Sequence, residues 1–164
     1  MSAFQLAQLN VARPLEPLDS PRLADFVANL DRINHLAEQS PGYVWRLVGD
    51  AVDAEGRYPL GRDVIATMSV WESLAALQDF AFRSGHADVM KRRREWFSKM
   101  AEAYVVLWWV PRGHRPDVHE GAARLARLRA EGPTPEAFSF KDAFPAPGAG
   151  LPRDERLHVL PHTA

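Results

Sequence analysis

The sequence predicts an α+β fold of the ferredoxin-like kind, a split β-α-β-β-α-β arrangement with an antiparallel sheet and helices on one face. Three observations carry this prediction. Hydrophobic periodicity alternates between about two and about 3.6 residues in the order strand, helix, strand, strand, helix pair, strand. The changes fall at residues that punctuate chains, such as Ser20-Pro21, Pro41-Gly42 and Ser73. Two later segments, Val64 to Trp71 and Tyr104 to Val110, are apolar or small on both faces, as strands covered on two sides are.

Each element has a local reason. Phe4 to Ala12 alternates, with Ala7, Leu9 and Val11 on one face and Leu6, Gln8 and Asn10 on the other. Pro14 and Pro17 break that pattern. Ser20 before Pro21 marks a helix start, a hydroxyl for the free amides and a proline for the first turn. The helix runs to about Gln39, its stripe made of Leu23, Phe26, Val27, Leu30, Ile33 and Ala37 with Asn34 near the centre; His35 points away. Tyr43 to Val48 is a short aromatic and β-branched strand, and Gly49 to Arg62 reads as a loop of functional length. Ser73 caps a helix that uses Leu74, Leu77 and Ala81, Ser84-Gly85 interrupts it, and a further helix spans about His86 to Met100. Pro111 stops the last strand.

Three regions are expected: the ferredoxin-like domain over residues 1–112, a C-terminal helix and short strand packed on it over 113–144, and a Pro/Gly-rich tail over 145–164. Asp117 with Glu120 resembles a capping box opening a helix to about Glu131, which Gly132-Pro133 ends. Phe138-Ser139-Phe140 suggests an edge strand. The sheet would keep one apolar face bare, and no other segment reads as large enough to cover it. A homodimer with sheets packed face to face is the expected remedy.

The 164 residues carry a formal net charge of −1 and no cysteine. That charge gives no reason to expect nucleic acid or an anionic membrane as a partner, and the Lys91-Arg92-Arg93-Arg94 run reads as a solvated helix face. Disulfides, thiolate metal sites and a cysteine nucleophile are excluded. Met1 to Gln5 lacks the start of a signal peptide, and no apolar run approaches the roughly 18 residues of a membrane span. The expectation is a soluble cytoplasmic protein. His114 and His119 are off register for one helical face, His158 and His162 flank Pro161 in the tail, and no metal site is expected. Neither a phosphate loop nor a Gly-x-Ser-x-Gly elbow is present, which sets nucleotide-dependent and serine-hydrolase chemistry aside.

Two ionisable residues interrupt an otherwise apolar helical stripe. On one continuous helix, Arg93 lies only about 20° around from His86, with Val89, Met90, Phe97 and Met100 in the same arc. An inward Arg requires a carboxylate, a carbonyl or an anionic ligand, whether structural or functional. His86 stands at a helix start, where the dipole disfavours imidazolium; it can act as base, ligate a haem iron or brace the helix. Asn10 and Asn34 can hold a substrate carbonyl or an oxygen intermediate, or satisfy backbone. Tyr43, Trp45, Trp71, Trp96 and Trp108, with Met68, can clasp a flat ligand or fill core. Trp108 and Trp109 must face opposite ways, so at most one lines a pocket and the other is expected in the dimer contact.

Leu6 to Asn10, Phe26 to Asn34, Pro41 to Arg46, Met68 to Ser73, Arg92 to Phe97, Leu107 to Pro111 and Gly113-His114 together resemble a bacterial family catalogued only as a domain of unknown function. That family looks like a branch of the dimeric α/β-barrel superfamily, which includes the antibiotic-biosynthesis monooxygenases and places its ligand between sheet and helices. The haem-degrading branch is similar in Asn10 and in Trp71-Glu72-Ser73. It differs where Phe80 replaces a Trp, and no residue here matches its haem-ligating His in spacing.

The resemblance implies a small-molecule-binding protein, in its specific form a cofactor-independent monooxygenase of an aromatic or polycyclic substrate. His86 would be the base, and Asn34 or Arg93 would stabilise the anion. The alternatives are a haem-binding protein with His86 as axial ligand and a non-enzymatic binding or scaffold dimer.

Overall fold

The computed structural model describes residues 2–148. Most of the expected tail, with His158 and His162, lies outside the described residues.

The chain folds as β1 (Phe4–Ala12), a 3-10 turn (Pro21–Leu23), α1 (Ala24–Gln39), β2 (Tyr43–Arg46), β3 (Ile65–Trp71), α2 (Leu74–Arg83), α3 (Gly85–Lys91), α4 (Arg93–Trp96), β4 (Val105–Pro111) and α5 (Val118–Glu131). The strands form one antiparallel sheet in the order β2-β3-β1-β4, the ferredoxin-like arrangement. Register follows the alternation of β1. Leu6 pairs with Trp71, Gln8 with Ser69 and Asn10 with Thr67, so these side chains share the face under α1 to α3. Ala7, Leu9 and Val11 face the other way and join Met68, Val70, Val106 and Trp108 in a second core.

That second face is not bare. Helix α5 lies across it, burying Val118, Leu125 and Leu128 in the same chain. Ala7, Leu9, Val70, Val106 and Trp108 are each at most 1% exposed as a result. The approach is close: a Cβ on Gly121 would stand 3.1 Å from the Met68 sulfur and 3.3 Å from Leu9 Cδ2. The sheet's second face, expected to be left for a partner, thus carries α5 of the same chain. Three buried aliphatic side chains of α5 contribute several kcal/mol, at about 1.5–3 kcal/mol each.

Asp117 Oδ1 accepts the Glu120 N–H at 2.8 Å, which is half of the expected capping box. The other half differs. The Glu120 carboxylate takes the Trp108 indole N–H at 2.8 Å and meets the His114 ring at 2.7 Å, tying α5 to β4. The edge strand expected at Phe138-Ser139-Phe140 reduces to a single bridge, in which Phe138 and Leu107 exchange backbone bonds at the free edge of β4.

Two helix predictions are corrected. Ser20 does not cap α1: its hydroxyl is buried without a partner among the described residues, and the chain enters through the 3-10 turn that buries Leu23. The helix expected from His86 to Met100 breaks at Arg92 and ends at Trp96. Arg92 bonds both Glu95 and Asp25 of α1, and Phe97 turns extended to bridge Pro14. The extended backbone lets the neighbouring Trp96 and Phe97 rings both reach Phe26, at 5.5 and 4.8 Å between centroids.

Candidate functional site

Helix α1 stands away from the sheet. Of its residues only Ala37 is fully buried, whereas Phe26, Leu30 and Ile33 on the same stripe stay only partly buried because they look into a space. That space is a hollow of about 1060 Å³ between α1, the α2–α3 pair and the sheet. It is large enough for a polycyclic molecule.

Its floor is polar in the middle. Alternation brings Gln8 and Asn10 of β1 beside Thr67 and Ser69 of β3. Ser69 Oγ accepts from Gln8 Nε2 at 2.8 Å and from the Trp71 indole at 2.9 Å, leaving its own proton for a third group. The side chains of Asn10 and Asn34 have no hydrogen-bond partner among the described residues, and both line the hollow. At the mouth, Arg46 pairs with Glu38 at 3.3 Å. Residues Gly49, Asp50, Ala51, Tyr58 and Arg62 of the β2–β3 connection form part of the rim. That connection also reaches α5: Asp53 accepts the backbone N–H groups of Arg57 and Glu55, and its other oxygen meets the His119 ring at 2.9 Å.

His86 closes one wall. The Ser84 hydroxyl accepts the His86 backbone N–H at 3.2 Å, which starts α3, and bonds the Phe80 carbonyl. The imidazole Nδ1 lies 3.2 Å from the Ala81 carbonyl. A carbonyl only accepts, so Nδ1 carries the proton and Nε2 keeps its lone pair, with no partner among the described residues. Burial pushes this imidazole below its ordinary value, against the weaker opposing effect of the Ala81 bond. An aromatic run leads to it: Tyr43 meets Trp71 at 5.7 Å, Trp71 stacks on Phe80 at 5.1 Å, and Phe80 meets His86 at 4.8 Å.

A side chamber of about 100 Å³ opens beyond Asn10 and Asn34, lined also by Phe26, His86, Trp96, Phe97 and Arg93. Arg93 does not border the main hollow. Its guanidinium carbon lies 4.3 Å from the Tyr104 ring centroid and 5.6 Å from that of Phe97. Its one hydrogen bond is a long 3.5 Å contact to the Val11 carbonyl. Half-burial lowers its affinity for the proton.

The structure thus gathers His86, Asn34, Asn10 and Trp71 around the hollow and puts Arg93 and Trp96 at its side chamber. Other candidates go elsewhere. Trp45 and Trp108 belong to the core under α5, and Tyr43 sits behind Trp71. Met68 borders the hollow, but its sulfur packs toward Gly121. Trp109, facing opposite to Trp108, donates to the Phe144 carbonyl at 2.9 Å. Gln8, Thr67, Ser69 and Tyr104 were missed. For the first three the signal was present, as polar residues two apart on strands covered on both faces.

Among the described residues no group of three or more metal-ligating side chains occurs, and no helix is long and apolar enough to cross a membrane.

Fold and site together define a ferredoxin-like α+β protein with a ligand-sized hollow between sheet and helices and a C-terminal helix on the sheet's other face. The chain belongs to the family described as Domain of unknown function (DUF3291), which matches residues 5–154. Comparison with curated proteins gave no match. Similar solved structures include SnoaB, a cofactor-independent oxygenase from Streptomyces nogalater (15% identity, TM-score 0.47, covering 70% of this chain and 100% of that one). A protein of unknown function from Nitrosomonas europaea has 17% identity and a TM-score of 0.44, covering 70% of this chain and 94% of that one. MupZ from Pseudomonas fluorescens has 11% identity and a TM-score of 0.41, covering 92% and 95%.

Proposed function

We propose that this protein binds a flat, largely apolar small molecule in the hollow and uses His86 as a general base upon it. One observation carries the reading: a neutral imidazole, its Nδ1–H committed to Ala81, presents an unpartnered Nε2 in a space lined by rings and by the free amides of Asn10 and Asn34. A purely structural dimer has no use for a ligand-sized space beside that ring.

The specific chemistry proposed is oxygenation of a phenol or enol without a cofactor. Nε2 takes the acidic proton, and Asn34 or Asn10 donates to the oxyanion that forms. The electron-rich anion then reduces dioxygen; one oxygen atom enters the ring and the other leaves as water. Rings around the site keep bulk water from the anion.

Oxygen uptake with anthrone- and quinol-type substrates tests this. Turnover by the wild-type protein should fall by about 10²–10⁴-fold in His86→Ala. Uptake unchanged by that substitution removes His86 from the chemistry. A Soret band after haem addition, lost in His86→Ala, would instead favour axial ligation.

A further inference from the structure

Resting on the ligand-binding reading above, we infer that the molecule this hollow takes is an acid: a planar apolar body with a carboxylate or similar oxyanion that enters the side chamber and pairs with Arg93. The chamber is chemically lopsided. Arg93 is the sole charged group among its lining residues; no carboxylate borders it, and His86 is held neutral by burial.

Elsewhere on this chain half-exposed arginines find acids readily. Arg92 holds Glu95 and Asp25, Arg46 holds Glu38, and Arg112 grips Glu72 at 2.6 Å. Arg93 makes no ion pair among the described residues; it has two aromatic rings and one long carbonyl contact. Rings hold a guanidinium in place without neutralising it, so its N–H fork stays available for a planar anion. The Asn10 and Asn34 amides and the Thr67 hydroxyl border the same chamber and supply further donors. At about 100 Å³ it accommodates roughly three water-sized groups, enough for a carboxylate and not for a ring. The ring system therefore stays in the main hollow, next to His86.

Calorimetric titration of 2-naphthoate and of its neutral counterpart 2-naphthamide into the full chain tests this, because the two probes differ in charge and share a ring body. The wild type should prefer the carboxylate by roughly ten-fold or more. Arg93→Gln should erase that preference while leaving the naphthamide affinity in place, and Arg93→Lys should restore part of it. Arg94→Gln, which borders neither the main hollow nor the side chamber, should leave the preference intact. Equal binding of both probes by the wild type, or a preference that survives Arg93→Gln, overturns the acid inference and leaves the hollow standing. Failure of both probes to bind counts against the ligand-binding reading itself. Thermal melts of each variant identify one that has merely unfolded.

Discussion

The imidazole of His86 shows how a single burial decision sets both chemistry and stability. Its folded-state proton affinity lies below the ordinary value of 6.5, chiefly through desolvation. On acidification the unfolded chain therefore takes the proton first. His86 stabilises the fold fully above about pH 6.5, and that contribution is lost as pH falls from there to the folded pKa. The same displacement keeps the proposed base unprotonated below neutrality. The acidic limb of kcat/KM for oxygen uptake should accordingly lie below pH 6.5, and a limb at or above that value would show that another group titrates. Melting temperature followed against pH should show a shallower acidic decline in His86→Gln than in the wild type.

At the scale of elements, α5 and the α3–α4 break show what local sequence can and cannot specify. The apolar stripe of α5 was readable, and so was its Asp117 cap; Asp117→Ala should cost about 1 kcal/mol in urea unfolding. What the stripe packs against was not readable, because the pairing of Leu125 and Leu128 with Leu9 and Met68 joins residues more than fifty positions apart. Lys91 to Glu95 favours helix throughout, so the break at Arg92 had no local signal; the Asp25 pair and the Pro14 bridge impose it from outside. Asn10, Asn34 and His86 were legible as candidates because strand alternation and helical periodicity are local rules. The Arg93–Tyr104 stack was not, since two elements must meet to make it. Gly121 offers a sharper test of α5. Its closeness to Met68 and Leu9 means that Gly121→Val should destabilise by about 1–3 kcal/mol in urea unfolding. Gly121→Ala should be nearly neutral, with gained helix propensity offsetting the crowding.

For the whole molecule, the sheet has the hollow and its helices on one side and α5 on the other, both supplied by one chain. The full chain should sediment as a monomer, since α5 occupies the surface that a twin would need. Leu125→Asp with Leu128→Asp should loosen that helix, bare Ala7, Leu9, Val70 and Trp108, and drive self-association visible by sedimentation velocity. A wild-type dimer unaffected by these changes would place the contact on some other surface.

The Asp53–His119 contact gives this layering a mechanical side. One stretch of backbone wraps the β2 edge, borders the mouth on one side and is moored to α5 on the other. His119→Ala should therefore quicken naphthoate dissociation in stopped-flow measurements, although its partner Asp53 does not itself line the hollow. Anything that grips the outward side of α5 then becomes a handle on how long a guest stays inside.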